Sequence, residues 1–182
     1  MSGSVGDNTA RASGVIAAAG GGAILQVKSV QLSGAISVGT STTPVAITAF
    51  DIAFTPTADT SKLCLQLTWQ SGANGTGGGG YFYDSTGAAK IMPYADAAGS
   101  RQRLSWYGYS DSFTMANVNF TAWFTPGDTT TRTFQVWGAA DSSSTLYINR
   151  CDSTHDGSGI NYSRSASTFT ITEYDGSLVT VA

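Results

Sequence analysis

Charge is what this sequence has least of. Charged side chains make up 12% of its 182 residues, glutamate occurs once, at Glu173, and histidine once, at His155. With a formal net charge of -3, there is no basic patch to neutralise phosphates, which excludes nucleic acid as a partner and disfavours anionic membranes. The two cysteines, Cys64 and Cys151, lie far apart and form no CxxC pair, so neither a zinc site nor a thioredoxin-type motif is readable, and both are expected as free, packed thiols. No run approaches the ~20 apolar residues of a membrane helix, so no membrane insertion is expected. The opening "MSGSVGDNTARASGVIAAAGGG" lacks a positive region ahead of its apolar part and makes a poor secretory leader. Assembly in a cytoplasm is the expectation. Glu and Lys, the usual formers of surface helix, are nearly missing, whereas Thr, Val and aromatics, which favour strands, are plentiful.

What is present reads as short strands. Residues 1–22 are mostly Gly, Ala and Ser, with Val5, Val15 and Ile16 as their large apolar side chains beyond Met1, and read as an arm that buries little by itself. Residues 23–182 read as one β-sandwich domain, with Gly, Pro, Asn and Asp between strand signals. In "KLCLQLTW", Leu63, Leu65, Leu67 and Trp69 share one face, the period of two of a half-buried strand. "RTFQVWG", "TLYINR" and "STFTITEY" repeat the pattern. Strands also fit 23–30, 44–54, 80–84, 88–93, 102–109 and 113–124, about ten in all. Within 44–54 the apolar phase slips near Ala49, which predicts a bulge. The glycine tract 71–81 is expected as an exposed loop, because runs of Gly cost backbone entropy. In "FTMANVNFTAWF", Asn117, Asn119 and Thr121 alternate with Val118, Phe120, Ala122 and Phe124. Either the second set is core and the first is wet, or the first meets another copy of the chain.

Chemistry is hard to find. The single His lies in a Gly-rich segment with no GxSxG elbow to supply a nucleophile. The aspartates sit mostly beside Gly, Ser or Thr in predicted loops, where Asp makes turns, rather than as paired carboxylates flanking a groove. "CDSTHD" gathers Cys151, Asp152, His155 and Asp156, but soft thiolate and hard carboxylate imply no consistent metal. No enzymatic activity, cofactor or metal is therefore assigned. Only three-fold symmetry, bringing three copies of His155 together, would make a metal site here.

Several segments carry a family resemblance. "GGAILQVKSV", "TPVAITAFDIAFTPTADTSKLCLQLTW" and "LYINR" followed by "RSASTFTITEY" resemble a recurrent module of tailed-bacteriophage structural proteins, often tail fibres. Residues 24–27, 54–56, 59–63, 147–150 and 164–173 occupy its motif positions. Ala166 in place of a glycine, Cys151 in place of a serine and the extension after Glu173 depart from it. The resemblance implies an all-β, antiparallel jelly-roll-like sandwich, similar in shape to C1q and TNF domains, assembling as a homotrimer in the virion, with residues 144–150 and 167–174 as a closing hairpin.

Two roles follow from that likeness. One is a tail-fibre or short appendage whose residues 1–22 dock on other virion proteins while the head meets a host-surface glycan or protein. The other is a decoration protein fastening capsid or tail subunits without a receptor. Tyr81, Tyr83, Tyr94, Trp106, Tyr107 and Tyr109 are the receptor-binding candidates, because sugars stack their C–H faces on aromatic rings. Trp69, Trp123 and Trp137 are the trimer-contact candidates, since four Trp and eight Tyr exceed what a small sandwich readily hides.

Overall fold

The computed structural model describes residues 24–39, 42–75, 77–97, 99, 102–141, 144–152 and 164–181. The arm 1–22 and His155 lie outside the described residues. Twelve strands form among the described residues: β1 Ile24–Leu32, β2 Ile36–Gly39, β3 Val45–Ala46, β4 Ile52–Phe54, β5 Lys62–Ala73, β6 Gly78–Asp84, β7 Ala89–Lys90, β8 Trp106–Gly108, β9 Ala116–Phe124, β10 Arg132–Ala140, β11 Leu146–Ile148 and β12 Ser167–Tyr174.

Register reduces these to eight strand lines. β1 and β2 follow one another along β12 and β11, β3 and β4 along β10, β7 and β8 along β6, and β11 and β12 along β5. Taken in chain order, the first line pairs with the eighth, the second with the seventh, the third with the sixth and the fourth with the fifth. The eighth also lies beside the third, and the seventh beside the fourth. Such nesting is a long hairpin rolled into two four-line sheets, the winding of a jelly roll. All pairings are antiparallel.

Between the sheets lies an aromatic and aliphatic core. Leu63, Leu65, Leu67 and Trp69 point inward from β5, as their spacing predicts, and meet Phe82, Trp106, Phe134, Val136, Phe169 and Ile171. Phe82 stacks on Phe169 with ring centroids 5.1 Å apart, and Trp106 packs against Trp69 at 5.8 Å and Phe120 at 5.1 Å. Val118, Phe120 and Phe124 pack on this core while Asn117, Asn119 and Thr121 are exposed. The wet-face alternative is therefore the arrangement within one chain.

Four expectations are corrected. The slip near Ala49 is a 3-10 turn, Thr48–Phe50, not a bulge. Phe50 N–H donates to the Ile47 carbonyl at 2.9 Å and Asp51 N–H to that of Thr48 at 3.1 Å, and the turn brings Phe50 inward between two strands that share β10. The glycine tract is mostly strand: residues 71–73 end β5 and 78–80 begin β6, all buried. A Cβ on Gly78 would lie 2.6 Å from the Ala139 carbonyl oxygen, and one on Gly79 or Gly80 would strike the carbonyl of Trp106 or Trp137. Close backbone approach requires these glycines, and the packing they permit offsets their entropy.

Neither do residues 144–150 and 167–174 form a hairpin. Both run the same way along one edge of β5, Leu146 opposite Ala73 and Tyr174 opposite Lys62, and the chain leaves that edge after Asn149. Strand β2 was not legible as a strand, and the stretches 88–93 and 102–109 shrink to β7 and β8, because residues 92–97 and 102–105 lie over the outside of the sheet.

Candidate functional site: an aromatic face and its glycine-floored notch

Strand alternation sends Tyr81 and Tyr83 of β6 and Gln135 and Trp137 of β10 to the outside of the β3/β4–β10–β6–β7/β8 sheet, with Trp137 opposite Tyr81 and Gln135 opposite Tyr83. Trp137 stacks on Tyr81 at 5.9 Å and 19°, and packs on Tyr83 at 4.7 Å. Its indole N–H donates to Gln135 Oε1 at 3.0 Å, and Gln135 Nε2 donates in turn to Asp51 Oδ2 at 3.0 Å. This chain fixes the ring's tilt.

Residues 92–97 and 102–105, between β7 and β8, lie on the same face. Ser105 N–H donates to the Gly80 carbonyl at 2.7 Å, Ser105 Oγ to that of Pro93 at 2.7 Å and Arg103 Nε to that of Ala95 at 2.8 Å. Two of the nine basic residues gather here over aromatic rings: Lys90 Nζ lies 4.3 Å from the Tyr81 centroid, and the Arg103 guanidinium 4.7 Å from that of Tyr94. Such cation–π contacts are worth about 0.5–2 kcal/mol each. Burial, and then neighbouring Tyr83, push the Tyr81 phenol above its ordinary value.

At one end of this face, β8 alternates. Trp106 and Gly108 point inward, while Tyr107 is 53% and Tyr109 beyond it 68% exposed. Beside Tyr107 is a notch of about 240 Å³. Gly78, Gly79, Ala139 and Ala140 make a floor nearly free of side chains, Leu104 and Tyr107 form walls, and Thr42, Gln102 and Asp141 stand at the rim. Partial desolvation first, then Asp141 and Tyr109, raise the Tyr107 phenol, so it stays protonated near neutral pH.

The candidates separate accordingly. Tyr83, Tyr94, Tyr107 and Trp137 share the outer face of one sheet, which puts the trimer-contact candidate Trp137 among the receptor-binding candidates. Tyr81, at 4% exposure, is covered by its neighbours. Trp106, at 6%, and Trp69, at 0%, belong to the core. All three correct the reading of the sequence, Tyr81 and Trp106 as receptor candidates and Trp69 as a trimer contact, because a ring enclosed by its own chain offers nothing to a receptor or a second subunit. Trp123 lies on the opposite sheet, half-buried against Tyr174 at 5.5 Å. Leu104, Gln102, Lys90 and Arg103 were missed; their proximity depends on how residues 91–105 fold back, which no local period encodes.

Elsewhere, Cys64 and Cys151 are both free and buried, burial pushing the Cys64 thiol up. Asp152 is buried, and 153–156 of "CDSTHD" lie outside the described residues. No group of three or more His, Cys, Asp or Glu gathers among the described residues.

The segments that resemble the phage module converge on two buried polar residues. Glu173, fully buried, accepts hydrogen bonds from Gln26 Nε2 at 2.6 Å, Thr57 N–H at 2.7 Å and Thr57 Oγ1 at 2.8 Å. Burial alone would raise its carboxyl, but the donors around it, Gln26 and Thr57 among them, hold it below the ordinary range. Asn149, also fully buried, sits at φ +63°. Its Nδ2 donates to the carbonyls of Leu32 at 2.6 Å and Gly34 at 3.0 Å, and its Oδ1 accepts from Ser167 Oγ at 2.6 Å.

The architecture is thus an all-β, two-sheet, jelly-roll-like sandwich bearing an aromatic outer face. No family model and no curated protein match the sequence. Among solved structures the chain is similar to that of the Gx strain of infectious bursal disease virus (13% identity, TM-score 0.39) and to that of the Gt strain (12%, 0.42), covering 82% of this chain and 37% of theirs in both cases. A D431N mutant VP2 protein of the same virus, in derived T=1 particles, matches at 15% identity and TM-score 0.36 over 81% of this chain and 36% of that one. The chain spans little more than a third of the length of these structures, and likeness at that distance says nothing of role.

Proposed function

We propose that this chain is a structural subunit of a tailed-bacteriophage particle: a homotrimeric tail-fibre or short-appendage head, tethered to other virion proteins through residues 1–22 and turning its aromatic face to the host surface. One observation carries the reading. Segments at 24–27, 54–56, 59–63, 147–150 and 164–173, which resemble the phage module and are scattered along the chain, close on one another around Glu173 and Asn149, with Thr57 next to the second of them. They act together as a framework, as motifs shared by a family of heads with differing surfaces would.

A neutral surface sugar is the partner whose chemistry fits the notch. The Tyr107 ring takes a C–H face, while the hydroxyls of Thr42 and Tyr107, the Gln102 amide and the Asp141 carboxylate suit sugar hydroxyls. Asp141 disfavours acidic sugars. A notch of about 240 Å³ is smaller than a drug-sized pocket of about 300–1,000 Å³, and matches a single sugar residue.

Electron microscopy of particles labelled with antibody to this chain tests the assignment. Label at the tail or baseplate is the expected result. Label spread over the capsid makes the chain a decoration protein, and particles without label refute the virion reading.

A further inference from the structure

The outer face of the other sheet has a different character. Across β1, β12, β5 and β9, one outward row reads Gln31, Thr168, Thr68, Asn119, and the next Ser29, Thr170, Gln66, Thr121. Both rows are uncharged hydrogen-bonding groups. The third row, Val27, Thr172, Cys64, Trp123, is mostly apolar, and beyond it Trp123 and Tyr174 meet across β5. Ile24 and Val27 at the rim are 53% and 55% exposed. Lys62 stands in the row beyond, opposite Tyr174, and its Nζ donates to Thr125 Oγ1 at 2.9 Å.

The two edges of this sheet also differ. The β1 edge is tied to the opposite sheet, Gln26 donating to the Thr55 carbonyl and Lys28 to that of Ala53, both at 2.7 Å. Among the described residues β9 pairs, along its nine residues, only with β5. It contains none of the lysines or prolines that blunt open edges in monomeric proteins.

We propose that this neutral face, together with the open edge of β9, is the surface through which copies of this chain associate. A second copy is the occupant that the charges favour. Each chain carries a net charge of -3, so identical subunits repel over much of their surfaces. They approach without that penalty where charge is missing, and Thr, Ser, Asn and Gln offer both donors and acceptors to a like surface. Exposed Ile24 and Val27, with the Trp123–Tyr174 pair, supply the apolar area that subunit contacts use. The inference rests on the homotrimer reading above and assigns it a surface.

Sedimentation velocity on the full chain is the test, with wild type, the double variant Thr68→Lys and Asn119→Lys, and Met92→Lys on the other sheet as control. Wild type and Met92→Lys are expected as the same multiple of 18.8 kDa. The double variant should dissociate at roughly a hundredfold higher concentration, because like charges are brought together at the contact. Hydrogen exchange read in parallel should show β9 amides protected in the oligomer and released in the double variant. Near-ultraviolet circular dichroism checks folding, and Val27→Arg replaces the double variant if that fails. An oligomer that persists with unchanged β9 exchange refutes the surface while leaving the trimer standing. A wild type that is monomeric at all concentrations refutes both, and β9 protection appearing only on particles assigns the face to a different virion protein, which also overturns self-association.

Discussion

Gln26 and Glu173 are 147 positions apart in the chain, yet the amide of one donates to the carboxylate of the other at 2.6 Å. The bond joins the first strand to the last, and Thr57 adds the loop between the sheets. Because the folded carboxyl titrates below its unfolded value, its contribution to stability is complete above about pH 4.3 and is lost as pH falls through the lower folded value. Glu173→Gln turns an amide toward existing donors and should cost about 1–3 kcal/mol at neutral pH. Melting temperatures of both proteins, followed from pH 7 downward, should converge in acid.

Asn149 is expected to tolerate replacement poorly. Alanine removes three hydrogen bonds and leaves the carbonyls of Leu32 and Gly34 without their donor, at a positive φ that alanine disfavours. The loss should reach about 3 kcal/mol. Glycine relieves only the backbone, so urea unfolding should rank wild type above Asn149→Gly, and that above Asn149→Ala.

Glycines in this chain are not equivalent. At Gly80 an added Cβ meets the Trp137 carbonyl, whereas at Gly34 nothing lies within 4 Å. Gly80→Ala should destabilise by about 1–3 kcal/mol or more, and Gly34→Ala should change stability by under about 0.5 kcal/mol. Equal midpoints in urea for the two variants would contradict the packing of β6 against β10.

Aromatic replacements should divide by depth. Tyr107→Ala and Tyr109→Ala are expected to reduce adsorption of particles to host cells by about tenfold or more while moving the melting temperature little. Trp106→Ala, one position away, should cost about 3–5 kcal/mol. A large loss of stability in Tyr107→Ala would place that ring in the core.

The sandwich class was legible because alternation in 62–69, 132–138 and 167–174 survives any tertiary arrangement: Leu63, Phe134 and Phe169 had to share an interior. What stayed hidden depends on contacts between distant segments. The strand role of Gly78–Gly80 is set by carbonyls of β8 and β10 that no local rule places nearby. Phe50 sits inward through a 3-10 turn whose sequence trace, a phase slip, is shared with a bulge. Alternation in 62–69 already put Trp69 on the inward face with Leu63, Leu65 and Leu67, against its reading as a trimer contact, whereas the short run around Trp106 has Tyr107 and Tyr109 beside it and no long alternation to fix which ring turns inward. Gln102 and Leu104 reach the notch through a fold-back with no period at all.

Each interrupted strand line departs from its neighbour and rejoins the same neighbour farther along: Lys90 and Trp106 both lie against β6, and Ile148 and Thr168 both against β5. A segment inserted at such a gap shifts no pairing on either side, because the register is held independently at its two ends. Length there is nearly neutral to the framework. Ile91 and Ser105 stay fixed, each bonded to β6, but a lineage can lengthen, shorten or exchange the residues between them, beside Tyr107, without refolding the sandwich, and the same junction offers a place to graft a foreign peptide for display.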